Sequence, residues 1–61
     1  MTTEELVKGK GRRIQYRIGD IVYTGTLMSK SPAKYCTAFY VRPDGETQRV
    51  LVTAHYFERF I

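Results

Sequence analysis

Five of the ten residues from Lys8 to Arg17 are basic, namely Lys8, Lys10, Arg12, Arg13 and Arg17, and no acid stands among them. Ammonium and guanidinium groups are the donors that phosphate oxygens accept from, so a run of them without a neutralising carboxylate points to a polyanion. Arg13 and Arg17 are four apart, which on a strand puts both on one face, about 13 Å from each other, with Gln15 between them. Tyr35, Phe39 and Arg49 could add a platform on which bases stack, provided their face is open to water. The competing explanation is plainer. Arg13 and Arg17 would then only solvate the outer side of a small sheet, as basic side chains commonly do.

Catalysis would have to draw on His55, Cys36, Asp20, Asp44, Glu46 and Glu58. Asp20 and Asp44 fall in turn-like stretches where a carboxylate bonds local backbone, and Glu46 is placed to pair with Arg42 across a turn. One cysteine makes no internal disulfide, and one histidine gives no zinc spacing. Cys36 is expected as a small buried strand residue. Gly9-Lys10-Gly11 lacks the strand before it and the helix after it that a phosphate loop requires. No enzymatic activity, metal or cofactor is expected.

The elements that would position the basic residues can be read from spacing. Residues 1–11 have little apolar content and glycines at 9 and 11, and are expected as a flexible basic tail. Arg12 to Ser29 reads as a hairpin about Gly19-Asp20, with Ile18 opposite Ile21, Tyr16 opposite Tyr23 and Arg13 opposite Thr26. Its apolar face would hold Ile14, Tyr16, Ile18, Ile21, Tyr23 and Leu27, and its polar face Arg13, Gln15, Arg17, Thr24 and Thr26. Gly25, inside the second strand, suggests a bulge, a bend or the close approach of a neighbour.

Tyr35 to Thr53 reads as a second hairpin about Arg42-Pro43-Asp44-Gly45. Pairing Arg42 with Glu46 puts Ala38 opposite Val50 and Phe39 opposite Arg49. Cys36, Ala38, Val50 and Val52 then face inward, and Tyr35, Phe39, Val41, Arg49 and Leu51 outward. From Thr53 to Ile61 the apolar period lengthens, which fits a short C-terminal helical turn capped by Thr53, or a 3₁₀ turn followed by a fifth strand.

The fold class expected is all-β, with residues 12–61 forming a small SH3-like barrel or a four-stranded antiparallel meander ending in that helical turn. The resemblance to SH3-like barrels is one of element order. The ending Val52 to Ile61 also resembles the tail of plasmid-type dihydrofolate reductases, which are tetramers of such barrels. Their Val-Gln-Ile-Tyr active-site strand is replaced here by Arg49-Val50-Leu51-Val52, so that activity is not implied.

At 61 residues the chain is one domain near the lower limit for an unaided core, so association with a second copy would help it. The net charge of +4 arises in the Lys8 to Arg17 segment, since the remainder is nearly balanced. No apolar run reaches the ~20 residues of a membrane span and the N-terminus lacks a signal-peptide core, so a soluble cytoplasmic protein is expected. The function expected is nucleic-acid binding, DNA or RNA, through Lys8, Lys10, Arg12, Arg13, Gln15, Arg17, Tyr35, Phe39 and Arg49. The alternative is a small protein-interaction module or inhibitor using its surplus of aromatic rings, five tyrosines and three phenylalanines.

Overall fold

The computed structural model describes residues 1–32 and 37–61, which form one open antiparallel sheet of five strands with little helix. Along the chain the elements are α1 (Thr3–Lys8), β1 (Arg13–Ile18), β2 (Ile21–Lys30), β3 (Ala38–Pro43), β4 (Val50–Thr53), a 3₁₀ turn (Ala54–Tyr56) and β5 (Phe57–Phe60). Their order across the sheet is β4-β3-β2-β1-β5, which leaves β4 and β5 as the two edges. The expectations placed on Tyr35 and Cys36 lie outside the described residues.

The first hairpin has the register that its sequence predicts, from Arg13 opposite Thr26 to Ile18 opposite Ile21. Gly19 takes φ +63° while Asp20 does not turn positive, the pattern of a type II′ corner, which allows no slippage between the strands. Gly25 is explained by close approach. A Cβ there would stand 2.6 Å from the Arg42 carbonyl oxygen and 3.0 Å from the Pro43 Cα, so only glycine lets β3 come alongside β2.

The second hairpin departs from its expected register. Ala38 pairs with Thr53, Phe39 with Val52 and Val41 with Val50. This is three residues away from the expected pairing, an odd step, and an odd step turns opposite sides of the strand inward. The cause is the turn. β3 runs on to Pro43, the Asp44 amide donates to the Thr24 carbonyl (3.0 Å), and the Glu46 amide closes onto the Pro43 carbonyl (3.0 Å). Gly45, at φ +81°, then occupies the third position of a type II turn, and residues 47–49 follow before β4 begins. Phe39 and Val41 thereby enter the core, where both side chains are almost completely buried.

The core consists of Leu6, Ile14, Tyr16, Leu27, Phe39, Val41, Val52 and Phe57, all from the sheet's inner face except Leu6 from α1. Phe39 and Phe57 meet edge to face with ring centres 6.2 Å apart, although β2 and β1 lie between their strands. A flat sheet would hold them about 14 Å apart at the usual strand spacing. The sheet therefore curls strongly around its rings while its edges stay unpaired.

One further expectation is corrected and one open alternative is decided. The N-terminal segment is not a loose tail: Thr2 and Glu5 form a capping box and the helix they start carries Leu6 into full burial. The C-terminal segment takes the second of its two expected forms, a 3₁₀ turn and a fifth strand, and Thr53 at its N-cap makes no side-chain bond to it. β5 pairs with β1, Ile14 opposite Phe60 and Gln15 opposite Arg59, because Phe57 and Phe60 gain more by covering the core than a helical turn would give them.

Candidate nucleic-acid interface

Alternation along the strands assigns the outer face of the sheet row by row. Arg13 of β1, Thr26 of β2 and Arg42 of β3 form one row. Arg59 of β5, Gln15 and Thr24 form the next, which Asp44 extends through its backbone bond to Thr24. Arg17 lies opposite Val22 in a third. Tyr40 of β3 is opposite Leu51, and the Arg49 guanidinium lies 4.0 Å above its ring, at the margin of the face. Five arginines from four separate parts of the chain thus share a surface on which the rows place two carboxylates, Asp44 and Glu58.

Both carboxylates are engaged. Asp44 accepts from the Thr24 hydroxyl (2.7 Å) and from the Arg13 guanidinium. Those two contacts, the Thr24 bond first, favour the charged form and hold its pKa below the ordinary range for aspartate. Glu58 accepts from the Gln15 amide (2.9 Å) and the Arg17 guanidinium (3.1 Å), which likewise hold it below the usual glutamate range. Each pair is half open to water, so it orients side chains more than it stabilises the fold.

The structure redistributes the residues singled out in the sequence. Arg13, Gln15 and Arg17 share the outer face as expected, but the two arginines are neutralised there. Lys8 ends α1, and Lys10 lies in the loop after it. The Arg12 guanidinium sits 4.2 Å from the centre of the Phe60 ring. Phe39 is 1 % exposed, so it offers no platform for a base, a correction that follows directly from the shifted register. Arg42 and Arg59 are the additions. Arg42 is visible only once β3 is registered on β2, and Arg59 only once the C-terminal segment is known to be a strand.

Among the described residues Lys8, Lys10, Arg12, Lys30, Arg42, Arg49 and Arg59 have no carboxylate ion-pair partner, and no group of three His, Cys, Asp or Glu side chains could hold a metal ion. His55 packs against Tyr56 with ring centres 4.2 Å apart, on the turn that precedes β5. No helix among the described residues is long and apolar enough to cross a membrane. No family model, curated protein or solved structure matches the chain.

A second feature adjoins this surface. A cleft of about 690 Å³ opens between the tip of the first hairpin and β4, lined by Tyr16 and Tyr23 stacked at 5.3 Å, by Ile18 and Val50, and also by Thr24, Asp44 and Arg49. Ile18 and Val50 are each 43 % exposed.

Proposed function

We propose that the protein is a small non-enzymatic nucleic-acid-binding domain that engages the phosphate backbone with the outer face of its sheet. The observation that supports this reading is the gathering of Arg13, Arg17, Arg42, Arg49 and Arg59 on one side, with Asp44 and Glu58 as the acids among them. Gln15, Thr24 and Thr26 add neutral donors between the charges. We read the curled five-stranded sheet, with its 3₁₀ turn before the last strand, as an open variant of the SH3-like order. The cations without carboxylate partners supply affinity by releasing counterions from the nucleic acid. Four such contacts, from Lys10, Arg42, Arg49 and Arg59, predict that affinity for a duplex falls about 100-fold between roughly 50 and 200 mM salt. A fluorescence anisotropy titration at several salt concentrations measures this, and binding indifferent to salt would overturn the reading.

The cleft favours a second reading, protein docking with another copy of the chain as the occupant. β4 is a free edge, and two copies can present the same edge and the same apolar wall to each other across a twofold axis. Sedimentation at rising concentration should then show a dimer, and Ile18→Asp with Val50→Asp should dissolve it. A monomer throughout the range rejects this second reading.

A further inference from the structure

The loop between α1 and β1 crosses the end of β2 and makes a groove of about 320 Å³ that Lys10, Thr26, Met28, Ser29 and Arg42 line. Two backbone bonds clamp this loop in place: the Gly11 amide donates to the Leu27 carbonyl (2.8 Å) and the Leu27 amide donates to the Arg12 carbonyl (2.9 Å). Lys10 therefore lines the same groove as Arg42, a residue 32 positions further along the chain. Neither has an ion-pair partner among the described residues, and no acid lines the groove. The outer face gives Arg13 and Arg17 a carboxylate each, whereas Lys10 and Arg42 share this groove without an ion-paired acid, the nearest influence on Arg42 being the charge of Asp44 outside it. Like charges held together repel, and an anion seated between them removes that cost.

We propose that this groove is an oxyanion seat for a phosphate group, with the Arg42 fork and the Lys10 ammonium taking the charged oxygens and the Thr26 and Ser29 hydroxyls donating from the β2 wall. In the protein's function that phosphate is one phosphodiester of the nucleic-acid backbone, so the source of the ligand rests on the reading given under Proposed function. An open groove suits a diester, whose two esterified oxygens must leave on either side.

The test is an amide chemical-shift titration of the full chain, first with inorganic phosphate and then with a short DNA duplex. Saturable shifts at Gly11, Thr26 and Ser29 are expected, and Lys10→Gln with Arg42→Gln should weaken phosphate at least about tenfold while circular dichroism keeps the sheet signal. Arg42→Lys, which keeps the charge but loses the fork, should fall between the two. Phosphate shifts spread evenly over the surface, or unchanged affinity in the double variant, would overturn the proposal. Phosphate binding without duplex binding would uphold the seat and reject nucleic acid as its source. Duplex binding that the double variant leaves untouched would reject the seat and leave the nucleic-acid reading to the other arginines.

Discussion

At the scale of single residues, the bonds to Asp44 and Glu58 decide which charges are available. Thr24 with Arg13, and Gln15 with Arg17, lower the pKa of these carboxylates in the folded state relative to the unfolded chain. A carboxylate whose pKa is depressed in this way contributes stability above its unfolded pKa and loses it as pH falls through the folded value. Stability in urea should therefore be level above about pH 6 and drop below about pH 4, where ordinary carboxylates protonate. Asp44→Asn with Glu58→Gln should flatten that drop, leaving the part due to Glu5, whose pKa is lowered by its bonds to Thr2. An acid limb as steep in the double variant as in the parent would show that these contacts do not bias the fold. Protonation in that range also frees Arg13 and Arg17, so phosphate affinity and stability should move in opposite directions there.

At the scale of elements, α1 is the part whose role differs most from a sequence expectation. Leu6 is fully buried against the sheet, and Leu6→Ala should cost about 2–5 kcal/mol in denaturant unfolding, a large share of what a domain this small can hold. A loose tail would tolerate the change without effect. The signal was present in Thr2-Thr3-Glu4-Glu5, a threonine followed three residues later by glutamate, but with one strongly apolar side chain behind it a six-residue helix has no periodicity to display. The first hairpin was legible because a two-residue corner with Gly19 first permits a single register. The second was not, because Pro43 can open the turn from either of two positions, and the choice falls to the burial of Phe39 and Val41, a tertiary effect. For the same reason Phe39 was placed on the wrong face of the strand and Arg42 was left out of the site. The register of β2 on β3 was likewise hidden, since no short turn joins them and Gly25 shows its purpose only when the β3 backbone lies against it.

At the scale of the whole molecule, the curled sheet divides its two sides between different chemistries. The concave side packs the rings, the convex side collects arginines from β1, β3 and β5, and the cleft beside β4 draws its lining from both, with Arg49 of the link before β4 among it. Charge that the sequence concentrates between Lys8 and Arg17 is spread by folding over one surface, and two of the chain's acids are placed to tune it. The most direct measurement is the salt slope of duplex binding for three proteins side by side. Relative to the parent, Arg49→Gln with Arg59→Gln should make the slope shallower by about two, because two phosphate contacts are lost, and Asp44→Asn should steepen it by about one, because Arg13 is released. A slope that is the same in all three, or no binding at low salt, would contradict a phosphate-binding outer face.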